Sequence, residues 1–178
     1  MRLKNKAQVW VETVVYTLIG LTIIAIILSM AMPQIDKMKD KAIIEQTVVA
    51  MNTLDNKISY VEQTSGSVGI VNFKIAKGKL EINSVNNSIK YILEDTKLEG
   101  SEPGVEIPPQ GNIILLTEKM ASRFRISLTM NYKNLNITND GGDPIKTLHA
   151  GATPYKISIE NKEVSTTAQN TTLEFSVI

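Results

Sequence analysis

From Thr13 to Met32 the chain runs for 20 residues without a charge, TVVYTLIGLTIIAIILSMAM. As helix, at about 1.5 Å per residue, such a run covers about 30 Å, the thickness of a bilayer's hydrocarbon core. Val14, Val15, Leu18, Leu21, Ile23, Ile24, Ile26 and Ile27 lie on every side of that helix, so no face is left for water. The run therefore reads as one membrane-spanning segment, residues 13–32. A secretory signal peptide has a shorter apolar region, about 7–15 residues, closed by a small-residue cleavage site. Here the far side is Met32-Pro33-Gln34. Arg2, Lys4 and Lys6 precede the span with no acid among residues 1–7, whereas Asp36, Lys37, Lys39, Asp40 and Lys41 after it sum to +1. The positive-inside bias places the N-terminus in the cytoplasm and the bulk of the chain outside.

Helical spacing does not end with the span. Ile35, Met38, Ala42, Ile44, Val48, Met51, Leu54, Ile58 and Val61 recur three and four residues apart, giving an amphipathic helix over residues 34–63. Pro33 lacks an N–H and crowds the carbonyl four residues back, which predicts a kink there and not a stop. Helix from Gln8 to Glu62 would reach about 80 Å, more than a globular domain of this size buries. We assign Met51, Leu54, Ile58 and Val61 to a core beneath the chain's own β region, leaving Ile35 and Met38 for neighbours.

Thr64-Ser65-Gly66-Ser67 suits the exit from a helix, and the pattern then changes to period two. Phe124, Ile126, Leu128, Met130 and Tyr132 alternate with Arg125, Ser127, Thr129 and Asn131, a half-buried strand. Val71–Phe73–Ile75, Ile89–Tyr91–Leu93, Tyr155–Ile157–Ile159 and Leu173–Phe175–Val177 alternate in the same way. Leu80 to Ile82 reads as a strand joined to its predecessor by a Lys77-Gly78 turn, and Ile113 to Thr117 as another after the loop with Pro103, Pro108 and Pro109. Six to eight strands over residues 67–178 predict an antiparallel sandwich or barrel-like head, so the fold class is α+β.

Composition narrows function. A formal charge of +1 provides no basic field for nucleic acid. Without cysteine there is no disulfide, thiolate nucleophile or cysteine-ligated metal, and His149 as the single histidine removes sites needing two imidazoles. No nucleophile elbow, zinc-binding histidine pair or phosphate-cradling loop occurs. These absences argue against an enzyme and against a cofactor.

The residues Lys4-Asn5-Lys6-Ala7-Gln8-Val9-Trp10-Val11-Glu12, leading into the apolar helix, resemble the start of an archaeal type IV pilin with a class III signal peptide. The resemblance covers about the first 60 residues. It implies a leader, residues 1–7, cut by a prepilin peptidase between Ala7 and Gln8, with Glu12 then fifth in a mature helix of residues 8–63. It further implies self-association into a helical filament on an assembly platform, a membrane-held precursor, and a surface filament serving adhesion. A filament subunit of the archaellum is the neighbouring implication. The β region carries no motif tied to a particular pilin.

The chemistry of Glu12 agrees. A carboxylate beside a bilayer core costs about 2.5–3.5 kcal/mol unless it finds a partner. Cleavage would create a positive amine on Gln8, and that amine on one subunit could neutralise Glu12 of the next. The plainer reading sets Glu12 at headgroup level in the first helical turn, where the macrodipole favours a negative charge. Losing Arg2, Lys4 and Lys6 also takes the formal charge from +1 to −2 and removes the cytoplasmic anchor. An uncleaved single-pass protein with a ligand- or partner-binding β domain outside is the rival reading.

Three sequons, Asn86-Asn87-Ser88, Asn136-Ile137-Thr138 and Asn170-Thr171-Thr172, fall in the external part as N-glycosylation candidates. Asn136 is the best placed, because it alternates with Leu135 and Ile137. The loop Asn139-Asp140-Gly141-Gly142-Asp143-Pro144 has turn chemistry and lacks the EF-hand spacing. Glu94, Asp95, Glu99, Glu102 and Glu106 read as a solvated loop between strands, and His149 as an exposed loop residue.

Overall fold

The computed structural model describes residues 3–162 and 171–178, with side chains from Val9 onward. The chain divides into two compact units, Met1–Lys39 and Asp40–Ile178.

One helix, α1, spans Leu3–Glu62, and its assignment continues through Pro33. Within the first unit it is long and apolar enough to cross a membrane by length and composition, and its most apolar stretch is not buried. It ends at Glu62, the boundary that the change of period predicts.

The second unit combines the last part of α1 with ten strands among the described residues: β1 Val68–Phe73, β2 Lys79–Asn83, β3 Ser88–Thr96, β4 Glu106–Ile107, β5 Ile113–Met120, β6 Arg123–Asn131, β7 Leu135–Asn139, β8 Ile145–His149, β9 Tyr155–Lys162 and β10 Thr171–Val177. They form a four-stranded sheet, β1-β9-β10-β7, and a six-stranded one, β4-β5-β6-β3-β2-β8. Residues from both sheets and from α1 share one apolar core, in which Met51, Leu54, Ile58, Val61, Phe73, Ile126, Leu128 and Phe175 are at most 1% exposed. The helical stripe assigned to that core occupies it; Ile44 and Val48 join it, while Ile35 and Met38 are 46% and 71% exposed.

The chain is α+β as expected, with several departures. Ten strands are described where six to eight were expected, and Glu106, read as part of a loop, belongs to β4. β7 and β10 pair in parallel, so the head is not wholly antiparallel. β1 and β2 are not a hairpin: β1 pairs with β9, and β2 with β3 and β8. Lys77-Gly78 does turn the chain, with Gly78 at φ 83°, but it hands it from one sheet to the other. His149 ends strand β8 opposite Lys79 instead of lying in a loop, although it is exposed. Glu94 and Asp95 belong to β3, where the register shifts between Leu93 and Thr96 and Asp95 takes φ 55°. The loop after Asn139 is a short 3-10 turn at Asp140–Gly142, with Gly141 and Gly142 both at φ 77°.

Candidate assembly surface and its anchorage in the head

Ala7 and Gln8 lie within α1, and Glu12 sits on it in an exposed position. Among the described residues α1 begins at Leu3, with no acid in its first turn. A helix starting at Gln8 would bring Glu12 close to the new terminus. Between Val9 and Met32, sixteen large apolar side chains are exposed, Trp10 at 69% and Tyr16 at 73% among them.

The hydroxyls of this segment bond to their own helix, as those of Thr47 and Thr53 do further along α1. Thr13 Oγ1 donates to the carbonyl of Val9 at 2.9 Å, Thr17 to Thr13 at 2.8 Å, Thr22 to Leu18 at 2.7 Å and Ser29 to Ile26 at 2.7 Å. A hydroxyl spent on its own helix leaves no donor to be stripped of water, which in hydrocarbon would cost several kcal/mol. Gly20 faces open space, with nothing near the position a Cβ would take.

Where the second unit begins, the helix is fastened by polar contacts as well as by its core stripe. Asp40 is 6% exposed. Its carboxylate accepts from Lys77 Nζ at 2.7 Å and from Thr96 Oγ1 at 2.5 Å. The bulge in β3 makes this possible: strict alternation after Ile89, Tyr91 and Leu93 would turn residue 95 inward, and the extra residue turns Thr96 inward instead. Burial first, and the nearby Asp40 charge as a lesser cause, push the Tyr91 hydroxyl up to about 12 despite a hydrogen bond with Thr47. Tyr91 also donates to the carbonyl of Lys77.

Further along, Tyr132 donates to Asp55 Oδ1 at 2.7 Å, and burial, reinforced by that bond, raises the tyrosine's pKa. The end of α1 is held from β9. Asn161, 4% exposed, directs its side-chain amide at the carbonyls of Val61, Glu62 and Thr64, 2.9, 3.1 and 3.2 Å away. The last carbonyls of a helix have no partner within it, and Asn161 supplies one from across the fold. Gly69 on β1 completes the fit, because a Cβ there would stand 2.7 Å from Val61 and 2.8 Å from Lys57.

Asp40, Lys77, Thr96 and Asn161 escape sequence reasoning. No motif links positions 37, 56 and about 100 residues apart, and Asp40 enters the sequence argument only as a charge beyond the span. Of the sequons, Asn136 is exposed on β7 between buried Leu135 and Ile137, and its amide donates to Thr172 Oγ1 at 3.3 Å. Asn86 is exposed in the turn between β2 and β3, and Asn170 lies outside the described residues. Among the described residues no three His, Asp or Glu side chains converge as metal ligands would. No family model, curated protein or solved structure matches this chain.

Proposed function

We propose that this chain is the structural subunit of a type IV pilus-like surface filament, held in the membrane as a precursor, cut between Ala7 and Gln8 by a prepilin peptidase, and polymerised through its N-terminal helix. The observation that carries the reading is the split character of α1. From Ile44 to Val61 its apolar stripe is consumed by the chain's own head, and from Val9 to Met32 none of its apolar surface is. At the low figure of about 1.5 kcal/mol per buried side chain, sixteen exposed ones amount to about 24 kcal/mol. That exceeds the 5–15 kcal/mol by which a whole domain is normally stable, so the segment requires an apolar host. Lipid serves first, and a bundle of identical helices serves afterwards without any change in the helix.

Glu12 supplies what a greasy helix alone lacks, a fixed axial register between neighbours through the amine that cutting creates on Gln8. In this reading the β head faces outward and adhesion is the filament's task. Intact mass and N-terminal sequencing of protein from membranes and from sheared surface material test it directly. A chain beginning at Gln8 in the sheared fraction is the expected result. A chain retaining residues 1–7 and found only in membranes overturns it in favour of a tethered binding protein. Glu12→Ala is expected to lower the sheared fraction at least tenfold while membrane insertion and head folding stay intact; undiminished assembly would refute the role given to Glu12.

A further inference from the structure

The loops at one end of the second unit gather where α1 enters it. β1 ends at Phe73 opposite Tyr155, β3 at Thr96 opposite Phe124 and β5 at Met120 opposite Arg123, while β2 begins at Lys79 opposite His149, where β8 ends. Asp40, the unit's first residue, is bonded there to Lys77 and Thr96. The loop between β8 and β9 lies beside the same turn: Lys74 Nζ donates to the carbonyl of Ala152 at 3.1 Å, and the N–H of Gly151 to that of Ile75 at 3.1 Å.

This end is cationic. Lys74, Lys77, Lys97, Lys119 and Arg123 stand on its loops and strand ends against Asp40, Asp95 and Glu99, a balance of +2. Two of those acids are already paired, Asp40 with Lys77 and Asp95 with Arg123 at 3.6 Å. The described turns at the other end, residues 84–87, 132–134 and 140–144, hold Lys133 against Asp140 and Asp143. The cationic end also has an apolar tip, because Met120, 46% exposed, and Ala121, at φ 50°, turn the chain from β5 to β6 between Lys119 and Arg123.

We infer that this end of the head rests on the anionic lipid headgroups of the membrane that its own helix crosses. Sign is one ground, since clustered cations beside a span are drawn to an anionic bilayer surface, and a small apolar tip between them suits the boundary beneath the headgroups. The attraction fades within about 8 Å at physiological salt, so close approach is needed. Reach is the other ground. Asp40 follows Met32, the end of the apolar run, by eight residues, at most about 29 Å of chain. The tether delivers the head to the lipid, and a contact too weak to hold a free protein holds a linked one. The inference rests on residues 13–32 crossing a membrane, and not on cutting or polymerisation. For a filament precursor it means that the head stays down on the bilayer until its helix is withdrawn.

The chain contains no cysteine, so one introduced thiol carries one fluorophore. In the full chain reconstituted into vesicles of equal parts phosphatidylcholine and phosphatidylglycerol, a fluorophore on Met120→Cys is expected to be quenched by spin-labelled lipid at least fivefold more than one on Val85→Cys, which lies at the other end and is 70% exposed. In phosphatidylcholine alone, or in about 1 M salt, where screening acts within about 3 Å, that excess should fall at least threefold. Lys74→Glu together with Lys119→Glu, both exposed, reverses the balance from +2 to −2 and should abolish the excess with circular dichroism unchanged. Equal quenching at the two sites, or an excess that persists undiminished in phosphatidylcholine alone, in high salt or in the folded double variant, would overturn the inference. The lipid and salt comparisons need no change at a charged residue. None of these failures bears on whether sheared material begins at Gln8.

Discussion

Replacing Leu54 with alanine separates the two halves of α1 experimentally. Leu54 is fully buried, and the substitution removes three carbons. Their transfer to water costs about 2.4 kcal/mol at ~0.8 kcal/mol per methylene. If roughly 40 Å3 of the space stays empty, the void adds about 1 kcal/mol at ~24 cal/mol per Å3. The unit from Asp40 to Ile178 is thus expected to lose about 3.4 kcal/mol. For a unit of that size about 3 °C accompanies each kcal/mol, so its melting temperature should fall by about 10 °C. Ile24→Ala is the matched control, because Ile24 is 54% exposed and belongs to the other unit. Thermal unfolding of the full chain in micelles, followed by near-ultraviolet circular dichroism of the head tyrosines, reads both. A fall of less than about 3 °C for Leu54→Ala, or an equal fall for Ile24→Ala, would refute the division of the helix into a buried and an unspent part.

Gly78→Ala meets two obstacles, a φ of 83° and a Cβ only 2.3 Å from the carbonyl oxygen of Ile92, and is expected to cost more than the 1–2 kcal/mol of left-handed strain alone; a shift of the urea midpoint checks it. The head should also unfold at high pH. Tyr91 has its folded pKa raised from 10.0 to about 12, so the stabilisation is complete below pH 10 and is lost as the pH climbs through about 12, because the unfolded chain ionises first. Absorbance of tyrosinate, recorded alongside circular dichroism, should show ionisation and unfolding together in wild type, and Tyr91→Phe should lessen that dependence while leaving the part contributed by Tyr132, whose pKa burial also raises.

Patterns that depend on near neighbours were legible in the sequence. The spacing of Met51, Leu54, Ile58 and Val61 places the helix and its buried face, and Phe124 to Tyr132 gives β6 with its inward side. Patterns that depend on partners were not. Leu80–Ile82 is recognisable as a strand, yet nothing local shows that Lys77-Gly78 passes the chain between sheets. β8 has one buried residue, Leu148, so His149 looks like a loop residue there. The acidic positions of β3 read as solvent-facing because the bulge at Glu94 and Asp95 breaks the alternation that would mark them as strand. The polar fastenings are further removed, since Asp40 with Thr96, or Asn161 with Val61, meet only after the whole head has closed.

The fastenings along α1 bear on how the head responds to tension. Asp40 to Lys77 and Thr96, Asp55 to Tyr132, and the helix end to Asn161 are spread over the length of the embedded segment, with the apolar stripe between them. A load on the helix is expected to be shared by these separated contacts and the stripe between them instead of falling on one. The head is attached in the way a rivet line holds a plate.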